Sequence, residues 1–143
     1  MLFRSYAHQY PEKISAQIKF DNALSHKLYA AADVMLIPSR FEPCGLTQLI
    51  AMRYGTVPIV RETGGLKDTV APFVADNGEG NGFTFDMYRA DLLLDAIKRS
   101  RALYTERRDV WDQMVKRDME KDVSWDLSAR TYMELYEELK ELE

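Results

Sequence analysis

The sequence lacks several features that mark well-known classes of protein. It has one cysteine, Cys44, so no disulfide can form within the chain, which fits a reducing compartment. No apolar run approaches the roughly 18 residues of a membrane-spanning helix. The opening stretch MLFRSYAHQYPEK is charged and polar where a signal peptide needs apolar residues. We therefore expect a cytoplasmic protein without a membrane partner.

Positive charge and clusters of metal ligands are also scarce. The formal net charge is −4, whereas a general nucleic-acid binder needs a surplus of Lys and Arg. The two histidines, His8 and His26, belong to no motif, and the sequence contains no Asp-x-Asp pair and no group of His and Cys. The sequence thus predicts no nucleic-acid partner, no metal site and no cofactor. A single local phosphate site remains compatible with this composition.

The chain does contain short apolar runs that alternate with helical segments. Four segments predict strands, namely 14–20, 34–37, 57–60 and 82–85. Helices are predicted at about 2–9, 23–31, 46–54 and 66–71. Strands that alternate with helices form parallel sheets joined by crossover helices. The predicted fold class is therefore α/β, with a partial doubly wound, Rossmann-like parallel sheet of about four strands.

The small number of strands predicts an incomplete sheet. A complete nucleotide-binding sheet of this kind has about six strands. We therefore expect residues 1–143 to form a single, truncated domain that begins partway through the sheet. An incomplete sheet leaves one strand edge without a partner, here at strand 14–20 or its neighbour. Because an unpaired edge can add a strand from another molecule, self-association through that edge is expected.

The last third of the chain, about 89–143, predicts three helices. They run over about 89–104, 107–121 and 124–142, and each carries an apolar stripe at helical spacing. We expect all three stripes to pack in the core. The third stripe is rich in aromatic residues and comprises Trp125, Ala129, Tyr132, Tyr136 and Leu139. For this stripe, docking on a neighbouring domain is the alternative.

The loop at 38–48 is the candidate binding site. It follows a predicted buried strand and precedes a helix, and ligands of open α/β sheets bind beyond the carboxyl ends of the strands. Gly45 permits close approach to the backbone, and the amides of Leu46 and Thr47 lie in a first helical turn, which suits a diphosphate. Glu42 would repel a phosphate, so it is suited to accepting hydrogen bonds from sugar hydroxyls. Many α/β proteins have such a turn with no ligand.

A longer motif around this loop narrows the range of protein families that the chain can resemble. The stretch SRFEPCGLTQLIAMRYGTVPIVRETGGLKDTV, residues 39–70, resembles the central signature of bacterial glycogen synthases and plant starch synthases. Other nucleotide-sugar transferases of the same two-domain GT-B architecture tend to carry a second Glu eight residues after the first, where this chain has Ile50. The resemblance is to the C-terminal part of the enzyme and covers essentially the whole chain.

The resemblance implies the donor-binding part of a retaining glycosyltransferase. Such enzymes transfer glucose from ADP-glucose, or from UDP-glucose in some lineages, to an α-1,4-glucan without a catalytic metal ion. Glu42 is the implied catalytic residue and would bind and fix the donor glucose. The residues implied to bind substrate are Phe20, Cys44, Gly45, Leu46 and Thr47.

The implied roles of these residues differ along the donor. Phe20 would stack on the adenine, since a flat apolar ring suffices for stacking. Cys44 and Gly45 would line the sugar side, while Leu46 and Thr47 would offer amides to the diphosphate.

Plainer alternatives stay open for these and nearby residues. The alternative for Phe20 is the end of a strand in the core, and the alternative for the small Cys44 is packing alone. The pair Gly64–Gly65 is more typical of a tight turn than of a phosphate cradle. Arg40 and Arg61 fit ion pairs as well as ligand contacts.

The resemblance also implies what lies outside the chain. In relatives, the Arg and Lys that clamp the donor diphosphate, and the N-terminal domain that binds the glucan acceptor, precede this segment. We therefore expect the chain to bind ADP or ADP-glucose without synthase activity of its own. The location would be the bacterial cytoplasm, or the plastid in a plant. The alternative function is a non-catalytic nucleotide-binding or oligomerising module that keeps the fold.

Overall fold

A computed structural model describes residues 2–140 of the chain. Within this range the helices are α1 (Leu2–Gln9), α2 (Asn22–Ala31), α3 (Thr47–Arg53), α4 (Gly65–Thr69), α5 (Ala90–Glu106), α6 (Arg108–Glu120) and α7 (Trp125–Lys140). The strands are β1 (Val34–Ile37), β2 (Val57–Arg61) and β3 (Phe83–Phe85). These bounds confirm the predicted helices and three of the four predicted strands; the end predicted for the last helix, at about 142, lies outside the described residues.

The three strands form one parallel sheet in the order β1-β2-β3. Val34 pairs with Val57, and Ile59 pairs with Phe83. Helices α3 and α4 are the crossovers between successive strands. Because every strand runs in the same direction, the carboxyl ends of all three meet at one edge of the sheet, as the predicted α/β class requires.

The sheet is covered on both faces because successive strand side chains point to opposite sides. On one face, β2 and β3 pack against α5 and α6 in a core of Val57, Ile59, Phe83, Phe85, Ala96, Leu103, Trp111 and Met114. On the other face, β1 and β2 pack against α4 in a smaller core of Ile37, Val60, Leu66 and Val70. The bare apolar run of β2 therefore predicted its position between two layers correctly. For β1 the prediction of burial on both faces is wrong, since Ile37 is buried but Leu36 is 47% exposed.

The strand predicted at 14–20 does not form. Ile14 and Ile18 alternate with polar residues, but their side chains are 37% and 61% exposed. A strand needs a hydrogen-bonding partner, and in the described residues this segment runs as coil without joining β1. In the described residues the sheet ends at β1 on one side and at β3 on the other, and β1 is the neighbour of the predicted strand. The alternative that Phe20 ends a core strand is also wrong, since its side chain is 98% exposed.

Helix α2 is fixed at both ends by hydrogen bonds. Asp21 is its N-cap, and the carboxylate accepts from the Leu24 amide at 2.9 Å. Lys19, at 2.8 Å, and that amide hold the pKa of the Asp21 carboxyl below its usual range. At the other end, the Thr56 hydroxyl donates to the Ala32 carbonyl at 2.7 Å. The Thr56 contact connects the end of α2 to the residue before β2.

The three C-terminal helices divide into two that pack in the core and one that does not. Ala96, Ser100 and Leu103 of α5 are buried, and so are Trp111 and Met114 of α6, which confirms the core prediction for those helices. Helix α7 has no buried residue. The expectation that its aromatic stripe packs in the core is therefore wrong within the described residues. No helix in residues 2–140 is long and apolar enough to cross a membrane.

Candidate functional site

The candidate site is the loop between β1 and α3, at the carboxyl edge of the sheet. The helix predicted at 46–54 forms as α3, which starts at Thr47 with Leu46 as its N-cap residue. No side chain among the described residues caps this helix. Its first amides thus have no helical partner and no capping acceptor. Leu46 is 68% exposed, so this turn opens toward solvent.

Gly45 gives the loop a backbone conformation that side chains rarely adopt. Its φ is +74°, in the left-handed region. A Cβ at this position would lie 2.7 Å from Oε1 of Gln48. The dihedral angle therefore favours glycine at the entry to α3, and a Cβ there would also displace the Gln48 amide group.

Gln48 anchors this turn from inside the protein. Its side chain is completely buried, and Nε2 donates to the Gly45 carbonyl at 2.7 Å and to the Thr69 hydroxyl at 3.0 Å. The Thr69 hydroxyl in turn donates to the Gly65 carbonyl. Sequence reasoning assigned Gln48 no role. The available signal was its spacing, since it lies three and four residues before the buried Ala51 and Met52 and so shares their face of α3.

The Gly64–Gly65 pair, at the start of α4, packs against the site loop. The Gly65 amide donates to the carbonyls of Glu42 and Pro43 at 3.2 and 3.3 Å. A Cβ at Gly64 would lie 1.9 Å from the Glu42 carbonyl oxygen, and one at Gly65 would lie 1.6 Å from that of Cys44. The pair is thus the tight turn favoured from the sequence, and it admits no side chain because the site loop packs directly on its backbone.

Glu42 is half-buried and keeps most of its hydrogen-bonding capacity. The Ser39 hydroxyl donates to Oε2 at 3.3 Å. Among residues 2–140, Glu42 takes part in no ion pair. An ionised carboxylate accepts about four hydrogen bonds, so this one has capacity left for donors such as hydroxyl groups.

Arg61, at the end of β2, bonds to backbone rather than to acidic side chains. Its guanidinium donates to the carbonyls of Ser39, Arg40 and Asp86. It forms no ion pair with a described residue, so the ion-pair alternative does not apply. Arg40 lies with its guanidinium carbon 5.7 Å from the Phe41 ring centroid, at the exposed surface of the same loop.

Comparison of the sequence with known families identifies the one to which this fold and loop belong. The model of the family described as glycosyl transferases group 1 matches residues 4–117. The chain belongs to this family.

This chain is similar to bacterial glycogen synthases. It is 52% identical over 138 residues to the glycogen synthase of Lachnoclostridium phytofermentans and 53% identical over 137 residues to that of Clostridium kluyveri. Each match covers 96% of this chain but only 29% of the relative. The chain therefore spans less than a third of the length of these relatives.

Solved structures of glycosyltransferases agree with the fold. The catalytic domain of starch synthase IV from Arabidopsis thaliana, bound to ADP and acarbose, superposes with a TM-score of 0.84 at 42% identity, over 96% of this chain and 29% of that one. Sucrose-phosphate synthase from Thermosynechococcus elongatus gives 0.67 at 25% identity, over 98% and 34%. The resemblance to glycogen and starch synthases and the GT-B fold class are confirmed.

The structure brings most, but not all, of the predicted site residues together in this member of the family. Glu42, Cys44, Gly45, Leu46 and Thr47 form one continuous turn before α3. Cys44 is exposed, which argues against a role in packing alone. Phe20 precedes α2, and its side chain is too exposed to contact the loop. The binding role of each residue stays a prediction.

Proposed function

We propose that this chain is the donor-binding part of a glucan synthase that uses ADP-glucose or UDP-glucose. The observation that carries the proposal is the turn at 42–47. It combines a carboxylate free of ion pairs with the uncapped first turn of a helix. One end of this turn suits sugar hydroxyls and the other suits a diphosphate. The starch synthase IV domain with the same fold is bound to ADP and acarbose, which supports a nucleotide ligand.

In this proposal the donor lies across the carboxyl edge of the sheet. Glu42 accepts hydrogen bonds from the donor glucose, and Cys44 and Gly45 line the sugar. The amides of Leu46 and Thr47 bind the diphosphate. The exposed ring of Phe20 stacks on the adenine. This contact requires the segment before α2 to lie against the bound nucleotide.

These residues would contribute to the reaction by electrostatic stabilisation of the leaving group. Departure of the nucleoside diphosphate from the anomeric carbon builds negative charge on the phosphate oxygens. Amides already fixed at the start of a helix stabilise that charge without reorganising. Glu42 holds the glucose while the acceptor hydroxyl approaches, and the product retains the configuration of the anomeric carbon.

We further propose that these residues alone bind the donor without transferring its glucose. The α-1,4-glucan acceptor would contact a part of the relatives that this chain, at 29% of their length, does not span. Incubation of the chain with ADP-glucose carrying labelled glucose and with glycogen tests this point. Label incorporated into glycogen would overturn it.

The experiment that tests donor binding is a titration with ADP and with ADP-glucose, followed by backbone amide shifts. Both ligands should shift Gly45, Leu46 and Thr47. ADP-glucose should bind more tightly than ADP, and Glu42→Gln should lower that ratio of affinities by roughly tenfold. Glu79→Gln, in the exposed loop before β3, is the matched control and should change neither affinity. Equal weakening of both ligands by Glu42→Gln would assign Glu42 to the nucleotide instead.

A second candidate function is that of an oligomerising module. The favouring observation is the edge of β1, which pairs only with β2 in the described part of the sheet. Leu36, in the middle of this strand, is 47% exposed. An open edge with an exposed apolar side chain is a site for adding a strand from a second molecule.

A further inference from the structure

Arg61 lies where the loops from all three strands come together. Nε donates to the Ser39 carbonyl at 2.9 Å, Nη2 to the Arg40 carbonyl at 2.5 Å and Nη1 to the Asp86 carbonyl at 3.3 Å. The first two carbonyls belong to the site loop after β1, and the third follows β3. A single side chain on the central strand therefore joins the loops on either side of it.

The geometry suits arginine and no other residue type. A guanidinium presents five N–H donors in a rigid plane, so it can reach three carbonyls at once. A lysine ammonium is a point donor on a flexible stem and cannot hold the same set simultaneously. With three of its nitrogens bonded to backbone, Arg61 fixes the direction in which the site loop leaves β1.

The loop fixed in this way carries Glu42. Ser39 accepts from Arg61 through its carbonyl and donates through its hydroxyl to Oε2 of Glu42 at 3.3 Å. The Glu42 carbonyl is held independently by the Gly65 amide at 3.2 Å. Arg61 thus acts, through Ser39, on the carboxylate of Glu42. The backbone of Glu42 is held separately by Gly65 at the start of α4.

We propose that Arg61 is a positioning residue that sets the orientation of Glu42 toward the donor sugar. This inference rests on the proposed function and deepens it. Glu42 contacts the sugar, whereas Arg61 orients Glu42. Arg61 itself does not contact the ligand. Its loss therefore affects the glucose part of the donor more than the nucleotide part.

The test compares Arg61→Met and Arg61→Lys with the control Arg117→Met. Arg117 also donates to backbone carbonyls, those of Gly78 at 2.7 Å and Gly80 at 3.4 Å, but on the loop before β3. The control therefore removes an arginine that supports backbone outside the site. Melting temperatures of all variants show which of them fold.

The first measurement needs no ligand and uses amide relaxation of residues 39–42. In the parent chain their order parameters should be near 0.85, the value for rigid backbone, and in Arg61→Met they should fall below about 0.6. Arg61→Lys should give intermediate values, and it serves for the comparison if Arg61→Met does not fold. Arg117→Met should leave residues 39–42 unchanged. Unchanged order parameters in both Arg61 variants would overturn the inference.

The second measurement compares the affinities for ADP and ADP-glucose. Arg61→Met should reduce the preference for ADP-glucose by roughly tenfold while ADP binds as before, and Arg61→Lys should restore part of the preference. Equal weakening of both ligands would make Arg61 a direct ligand of the diphosphate and overturn the inference. If the parent chain binds neither ligand, the proposed function fails, and the relaxation measurement still decides whether Arg61 orders the loop.

Discussion

At the scale of single residues, Asp118 is the least expected group in the molecule. It lies on α6 with only 6% of the residue exposed, and its Oδ2 has no hydrogen-bond partner among the described residues. Burial raises the pKa of this carboxyl to about 7, against the opposing charges of Arg117 and Lys121. Asp118 follows the buried Trp111 by seven residues and Met114 by four, so its spacing on α6 was the available signal for burial. The residue type pointed the other way, because an aspartate is seldom buried.

The raised pKa of Asp118 makes a prediction about stability and pH. The unfolded chain ionises this group near its ordinary value of 3.8, and the folded chain does so near 7. The native state therefore loses stability between these values as the pH rises. Asp118→Asn does not titrate there, so its stability relative to the parent should rise by about 2 kcal/mol between pH 4 and pH 8, a figure reduced for partial solvent screening.

Urea unfolding at both pH values measures this change in the free energy of unfolding. Asp76→Asn, at an exposed loop position, is the matched control for replacing one aspartate by asparagine. A difference between Asp118→Asn and the parent that stays constant from pH 4 to pH 8 would contradict the raised pKa.

Gly65 shows what the sequence predicted at the residue scale and what it did not. The Gly64–Gly65 pair indicated a turn, and a turn forms. The reason for glycine at the second position is a contact with Cys44, whose carbonyl oxygen leaves no room for a Cβ. That contact joins positions far apart in the chain, so no local pattern could predict it.

At the scale of elements, α6 and α7 look alike in sequence and differ in structure. Both carry a tryptophan on an apolar stripe. Trp111 on α6 is 2% exposed and packs against Phe83 and Tyr104, with ring centroids 6.4 and 5.1 Å away. Trp125 on α7 is 85% exposed. Helical periodicity predicts an apolar face, but it does not determine whether another element covers that face.

This difference predicts unequal effects of the same substitution on stability. Trp111→Ala should lower the free energy of unfolding by about 3–5 kcal/mol, because it leaves a cavity in the main core. Trp125→Ala should change it by less than about 0.5 kcal/mol. Thermal or urea denaturation followed by far-UV circular dichroism measures both, and each variant is the other's control. A large loss in Trp125→Ala would show that α7 packs in this chain.

At the scale of the whole molecule, the sheet ends at an open strand. Because β1 pairs with another strand on one side only, we expect self-association that depends on the protein concentration and on Leu36. Sedimentation velocity at concentrations up to about 1 mM should show a dimer of the parent chain. Leu36→Lys should shift the equilibrium toward monomer, because a lysine on an edge strand opposes pairing.

Leu94→Lys is the matched control for this experiment. Leu94 is 50% exposed, close to the 47% of Leu36, but it lies on α5 rather than on the sheet edge. The control should associate like the parent chain. A parent that stays monomeric over the whole range, or equal effects of both lysine variants, would exclude the β1 edge as the contact.

The sequence by itself determined the α/β class, the order of the elements from α2 onward, the position of the site loop and the family. These depend on apolar runs, on helix caps such as Asp21 and on a contiguous motif, all of which are local along the chain. Tertiary structure alone decided that Gln48 and Arg61 hold the loop, that segment 14–20 stays outside the sheet and that Asp118 Oδ2 finds no hydrogen-bond partner among the described residues. Each of these depends on which distant backbone groups lie within hydrogen-bonding distance, and the folded arrangement of the elements sets those distances.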